Sequence, residues 1–283
     1  MRLIISHQTN YFYEQLALRS VQYIRMTPMT LPHQTIHNWQ VMLPKVAQMQ
    51  TDGFGNQWLT LSRHEPHNNL QIQAFGEVEI NADTLFIPDN QQVPYQIFAV
   101  PTKLTQCSEA MREFAHAALE QFLQSEDIDT QLAILKSLAK DLLDKMPYTK
   151  SVTHVGTTAE QAFAMAAGVC QDHTHVFLAL LRDKGIAARY VSGYIYEATQ
   201  AHMASHAWAE VWLAGNWYTF DISNQHFTPN SHVYIAFGRD YADAAPVRGV
   251  RTGGGDERLY SQVMVSTSPQ YIPQLNAQFA AQQ

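Results

Sequence analysis

The chain has 283 residues, 46% of them hydrophobic, and a formal net charge of −7. That length supports a sizeable core and two domains, and the acidic balance argues against a general nucleic-acid or anionic-membrane binder. No run approaches the roughly 20 apolar residues of a membrane span. Met1 to His7 lacks the long apolar stretch of a secretory signal, so a cytoplasmic location is expected. The two cysteines, Cys107 and Cys170, read as unpaired thiols, because a cytosolic chain has no need of a disulfide.

The first hundred residues read as strands. Arg2 to Tyr13, Ser20 to Thr27, Thr35 to Leu43, Gln57 to Ser62 and Leu70 to Ile80 are β-rich and separated by turn residues. Asp52-Gly53 and Gly55-Asn56 punctuate in the manner of hairpins, and Pro28, Pro32 and Pro44 fall at strand ends. The expectation is an antiparallel, sandwich-like domain over residues 1–95, with Ile87 to Pro94 as the linker.

Beyond the linker the texture becomes helical. Ser108 to Leu123 places Met111, Phe114, Ala115, Ala118 and Phe122 on one face; Asp129 to Leu143 does the same with Leu132, Leu135, Leu138, Ala139 and Leu142. Thr158-Ala159-Glu160-Gln161 fits a capping box. The next helix opens at Cys170, after a glycine suited to a tight turn, Gly168. Its apolar positions Val176, Phe177, Leu180 and Leu181 recur with helical spacing, and Lys184-Gly185 ends it. Strands are expected at Ala188 to Tyr196, His206 to Leu213, Asn216 to Ile222, Val233 to Phe237 and Leu259 to Val265. Gly253-Gly254-Gly255 reads as a flexible loop and Asn276 to Gln283 as a polar tail. The fold class is α+β: an N-terminal antiparallel β domain, then helices packed on an antiparallel sheet over residues 96–283.

Three short stretches carry chemistry. They are Gly168-Val169-Cys170-Gln171, Ser205-His206-Ala207-Trp208 and Trp217-Tyr218-Thr219-Phe220-Asp221. The thiolate is the nucleophilic form of cysteine, and a helix N-terminus or a nearby imidazolium favours it. Two adjacent antiparallel strands can bring His206 and Asp221 together, with the carboxylate fixing the imidazole tautomer. Taken singly, each residue has a plainer reading: an inert apolar cysteine, a packed histidine, a turn aspartate. In this order and context the three together point to thiol acyl transfer. The Cys170 backbone N–H is the natural oxyanion donor, and Gln171 is a weak candidate for a second.

Cofactor chemistry finds less support. Asp172-His173-Thr174-His175 holds three possible ligands, but positions i and i+2 of a helix point apart. One histidine is expected to face the pocket and the other to pack. No Cys-x-x-Cys, His-Glu-x-x-His, Walker loop or dinucleotide fingerprint occurs, so no metal and no cofactor is expected. Aromatics cluster around the candidate site: Tyr148, Tyr194, Tyr196, Trp208, Trp217 and Tyr218. An Arg239-Asp240 pair and Arg248 read as structural in preference to a peptide clamp.

The segment from about Thr158 to Asn224 resembles the core of the transglutaminase-like superfamily, which has a papain-like fold. The resemblance lies in Gly-Val-Cys opening a helix, the His-Ala-Trp strand and the aromatic-Asp strand. It extends to the bacterial two-domain subgroup through Arg25-Met26-Thr27-Pro28, Phe54-Gly55-Asn56, Gly238 to Asp243 and Pro246 to Val250. His173 departs from the pattern, since relatives commonly carry an aromatic there. The resemblance implies a Cys170, His206, Asp221 triad, with Tyr148 bordering the substrate cleft; Gln171 and Trp208 are further cleft candidates. It implies a peptide or protein substrate and an enzyme of the cysteine protease or amidase kind. The alternatives are a protein-glutamine transglutaminase and a non-catalytic peptide-binding module of the same fold.

Overall fold

A computed structural model describes residues 1–90, 92–197 and 205–267. In chain order, strands β1 (Arg2–Ile24), β2 (Gln34–Met42), β3 (Gln48–Thr51), β4 (Gln57–Arg63), β5 (His67–Ile80) and β6 (Ile87–Pro88) come first. Helices α1 (Glu109–Gln124), α2 (Ile128–Lys145), α3 (Ala159–Met165) and α4 (Cys170–Asp183) follow. Then come β7 (Ala188–Ile195), β8 (His206–Leu213), β9 (Asn216–Phe220), β10 (His232–Gly238), the short helix α5 (Tyr241–Ala244), β11 (Val247–Gly253) and β12 (Glu257–Ser266).

Two antiparallel sheets result, as the α+β reading expects. The first runs β2-β5-β1-β4-β3, and β11 and β12 also pair with β1. The two strands expected over residues 2–27 are one, because partners hold β1 extended along its length. Strands β11 and β12 follow one edge end to end, β11 along residues 17–24 and β12 along residues 4–13, while β5 pairs with residues 2–12 on the other and β4 with residues 20–24. The glycines of the expected flexible loop link β11 to β12, which runs on in the same direction along β1, with φ of 77°, 97° and 60° at Gly253, Gly254 and Gly255. This is one sheet with a core of its own, Ile24, Met26, Leu59, Leu61, Leu70, Ile72 and Ala74, in place of the two separate sheets of a sandwich. The polar tail at Asn276 to Gln283 lies outside the described residues.

The second sheet runs β10-β7-β8-β9-β6. Ile87 and Pro88, expected in the linker, pair with Trp217 and Asn216 at its far edge. Helix α4 lies against this sheet, and every residue from Asp172 to Arg182 is buried. The remaining helices enclose it, with local sequence setting their starts. Ser108 accepts from Met111 N, Asp127 from Thr130 N, and Thr158 and Gln161 form the expected reciprocal box. The faces follow the expected periodicity. Met111, Ala115 and Phe122 of α1, and Leu135, Leu138, Ala139 and Leu142 of α2, are buried. Leu3, Ile5, Val78 and Ile80 of the first sheet join the same apolar core as α1 to α4.

Two side-chain amides fasten the first sheet's loops to the open edge of β10. Gln34 Oε1 accepts from Tyr234 N at 2.9 Å, and Gln34 Nε2 donates to Tyr234 O at 2.9 Å. Asn56 does the same at Phe237, accepting from N at 2.9 Å and donating to O at 2.7 Å. Each amide satisfies an edge residue as another strand would. Asp52 anchors Asn56 in turn, accepting from its N–H, from its side-chain amide and from Arg25 Nε. The motifs around Arg25 and Phe54-Gly55-Asn56 are thus one device, and Gly55 turns it with φ of 88°.

Asn56→Ala leaves the N–H and C=O of Phe237 without partners in a buried strand. Unsatisfied groups of this kind cost about 1–3 kcal/mol each, so urea unfolding should show a clear loss of stability. A change under about 0.5 kcal/mol, typical of inert surface positions, would contradict the docking role.

Buried neutral histidines set the acid limit. Burial lowers the pKa of His7 and of His33 to about 4 and that of His175 to about 3. Burial also lowers His173 and His232. Between pH 6.5 and the folded values, the unfolded chain binds protons that the fold refuses, so stability must fall with pH. The urea midpoint should be lower at pH 5 than at pH 7. An equal or higher midpoint at pH 5 would show that these rings are not held neutral.

Candidate active site

The β8–β9 hairpin pairs Ala209 with Phe220. The first residue of β8, His206, and the residue following β9, Asp221, therefore meet at one end of the sheet. Strand β7 makes room at this end, because Gly193 stands opposite His206 and a Cβ there would lie 1.9 Å from Val233 O. Helix α4 presents its first residue, Cys170, to the same place, and the thiol enters the hydrogen bonding and charge environment of His206. The structure thus brings together the three residues read from the sequence. Cys170 is partly exposed, His206 is buried and Asp221 is inaccessible.

The start of α4 is fixed by Asp172. Its Oδ2 accepts from Val169 N at 2.8 Å and from Thr153 Oγ1 at 2.7 Å. Gly168 is required here for space, not for a left-handed turn. Its φ is not positive, but a Cβ would sit 2.6 Å from the Cβ of Asp172. The left-handed residue in this connection is Ala166, with φ of 52°.

Asp221 is the most heavily bonded group of the site. Its Oδ2 accepts from His206 Nε2 at 2.7 Å, from His232 Nε2 at 3.1 Å and from Asn224 Nδ2 at 2.9 Å; Oδ1 accepts from Asn224 N at 3.2 Å. Burial pushes the carboxyl up, but the two imidazoles hold it far below the usual range. At His206 burial opposes the charge, and the adjoining Asp221 together with Cys170 raises the imidazole well above its usual range. His206 therefore stands as an imidazolium with Nε2–H on the carboxylate. Its other ring nitrogen is left for the thiol.

His232 and Asn224 were not singled out in the sequence. Nothing in Ser231-His232-Val233 distinguishes the histidine from any strand-opening residue. Asn224 offered a faint signal, as an amide three residues beyond the aspartate in a turn. The Nε2 atoms of His206 and His232 and a carboxylate oxygen of Asp221 lie within 4.8 Å of one another, close enough to share an ion. Their protons already satisfy them as two N–H···O bonds to one oxygen.

The flanking candidates divide. Tyr148 is 46% exposed and bridges to Gly168, two residues before Cys170, so it lies beside the candidate site. Gln171 donates Nε2 to Val155 O at 3.1 Å, which turns its amide to the neighbouring loop. Trp208 is fully buried and lines no cleft; its ring backs His206 at 6.0 Å and His232 at 4.6 Å. An aromatic on a strand next to the site is core here because β8 is covered on both faces, with every residue from His206 to Val211 buried. His173 and His175 are both buried, contrary to the expectation that one faces the pocket. His173 Nε2 donates to Met146 O and its Nδ1 accepts from Ser223 Oγ, while His175 accepts from Tyr241 N. Arg239 pairs with Asp243, and Asp240 caps α5, so that region is structural. The other thiol, Cys107, lies away from the triad, and burial followed by the charge of Asp183 pushes it up to about 11.

Among the described residues no helix is long and apolar enough to cross a membrane. Residues 117–222 match the transglutaminase-like superfamily, and residues 3–79 match the bacterial transglutaminase-like N-terminal region. An uncharacterized protein of Mycobacterium leprae (strain TN) is 26% identical over 268 residues, covering 90% of this chain and 94% of its own length. An uncharacterized protein of Mycobacterium tuberculosis (strain ATCC 25618 / H37Rv) is 26% identical over 282 residues, covering 88% and 87%. The fold is also that of a candidate cysteine protease from Cytophaga hutchinsonii, whose crystal structure superposes with a TM-score of 0.73 at 21% identity, over 94% of this chain and 90% of that one. The chain thus carries a transglutaminase-like superfamily core behind a bacterial transglutaminase-like N-terminal region.

Proposed function

We propose that this protein is a thiol-dependent acyl transferase acting on amide or peptide carbonyls, with water as the acceptor. The observation that carries the reading is the placement of Cys170, at the first position of α4, beside a His206 whose Nε2 is bonded at 2.7 Å to a buried Asp221. The naming of the Cytophaga hutchinsonii protein as a candidate cysteine protease agrees with it.

The chemistry follows from the geometry. The Cys170 sulfur attacks the carbonyl carbon, and the electron pair of the C=O moves to oxygen. The first N–H groups of α4 have no acceptor within the helix and stabilise that oxyanion. His206 then gives its proton to the departing amine as the C–N bond breaks, leaving a thioester. The neutral imidazole next takes a proton from water as water attacks and keeps it as the C–S bond breaks, which releases the acid and restores the thiolate beside the imidazolium. Asp221 holds the ring throughout. Water is favoured as acceptor because it is always present at high concentration. An amine in its place would make the reaction a transamidation. A peptide or protein is the proposed substrate class and the cytoplasm the proposed location.

The two thiols offer an internal control. Brief iodoacetamide treatment near pH 6, followed by peptide mapping, should label Cys170 much faster than Cys107. An imidazolium adjoins Cys170, whereas Cys107 is pushed up to about 11 by burial. Equal labelling, or a preference for Cys107, would sink the assignment.

Removing the carboxylate tests the third member. In serine triads an Asp→Asn change costs about ten-thousandfold in turnover. A thiolate–imidazolium pair is partly formed before substrate arrives, so Asp221→Ala should slow single-turnover acylation by an activated ester roughly ten- to a thousandfold. His206→Ala should be slower still. If Asp221→Ala acylates like wild type while circular dichroism shows a native fold, Asp221 is only a turn residue.

A further inference from the structure

The triad leaves one buried titratable group of the site unused. We propose that His232 is a positioning residue for the reaction: its Nε2–H, 3.1 Å from the same carboxylate oxygen that holds His206, fixes Asp221 and limits the charge it lends to the imidazolium. This rests on the acyl-transfer reading of Cys170, His206 and Asp221 given above.

Three features single His232 out. First, the ring is inaccessible, yet its Nδ1 has no partner. Its one side-chain hydrogen bond is spent on Asp221. Second, the bond goes to Oδ2, which already receives His206, and not to Oδ1. A donor on the shared oxygen competes directly for the electron density that stabilises the imidazolium. Third, the ring is locked in place. It packs on Trp208 at 4.6 Å and His226 at 5.4 Å, and opens the edge strand docked by Gln34.

The ionisable surroundings fix its charge state. Asp221 faces it from the end of β9, His206 from the start of β8, His226 from the turn after Asp221, and His33 from the segment before β2. His33 is itself held neutral, with its pKa lowered by burial to about 4. Asp221 is the one carboxylate among these groups, and its charge is already matched by His206. Burial, first, and the charge of His206 work against a second imidazolium, so His232 stays neutral. It donates a proton to the carboxylate without adding a charge beside His206.

The consequence has a sign. With the His232 donor gone, Asp221 concentrates its charge on the His206 N–H. The imidazolium then keeps its proton to higher pH and becomes a poorer acid toward the leaving group. The carboxylate also loses one of the bonds that aim it, so the ring is less well directed at the sulfur.

The experiment compares wild type, His232→Leu and His232→Gln. Glutamine places an N–H at about the position of Nε2; leucine places none. Iodoacetamide alkylation of Cys170 is followed across pH, with circular dichroism to establish folding. The step at which the imidazolium loses its proton should move up by about half a unit or more in His232→Leu and stay near wild type in His232→Gln. Acylation by a peptide p-nitroanilide, whose amine must be protonated to leave, should fall roughly tenfold in His232→Leu and recover in His232→Gln. A folded His232→Leu with the wild-type profile and rate would overturn the positioning role. A folded His232→Gln shifted like a donor-less variant would overturn it as well, so each variant carries the test by itself. If wild-type Cys170 shows no preferential alkylation, it is the triad reading that fails, and His232 then has nothing to position.

Discussion

The site depends on one buried carboxylate. Asp221 is inaccessible to solvent and accepts from His206, His232, and the amide and backbone N–H of Asn224. A carboxylate taken out of water without partners would be strongly disfavoured. With these donors it remains ionised and in turn makes a charged His206 possible inside the protein. Removing Asp221 would leave an imidazolium in an apolar setting with nothing to balance it, and the ring would lose its proton. The pairing is therefore both a structural requirement and the source of the chemistry.

Much of the fold serves to hold that carboxylate still. The β8–β9 hairpin sets His206 against Asp221, and α4, packed through its whole buried length, sets Cys170 against His206. Strand β10 brings His232 up behind the carboxylate. Its edge is closed by Gln34 and Asn56 from the first sheet. The first sheet thus reaches the site through hydrogen bonds to one strand. The C-terminal strands β11 and β12, which follow β10 in the chain and pair end to end with β1, tie the two sheets together again.

The placement of Cys170, His206 and Asp221 was legible because each sits in a short motif whose local structure is strongly determined: a helix start, and two apolar strands joined by Ala214-Gly215. The helices were legible for the same local reasons, since Ser108 and Thr158 cap where they should and the apolar periodicity is regular. What could not be read depends on partners far away in sequence. Residues 14–19 of β1 carry no strand signal and are extended because Gly254 and Asp256 bond to Gln15 and Glu14. Strand β3 is exposed throughout, and β11 almost so, and neither has an alternating pattern to reveal it. Gly168 looked like a turn glycine and proved to be a space requirement of Asp172. His232 and Trp208 were misjudged or missed because burial belongs to the assembled sheet, not to the residue. A histidine opening a strand and a tryptophan beside a nucleophile's partner look the same whether they face solvent or core.

The central claim is that a buried Asp221 keeps His206 charged in the resting protein. Nitrogen-15 NMR of ring-labelled histidine reports this directly, since an imidazolium carries protons on both nitrogens and a neutral ring on one. At pH 7 both nitrogens of His206 should be protonated, with the Nε2 proton far downfield from its bond to Asp221. A His206 resonance showing one bare nitrogen at pH 7 would contradict the account.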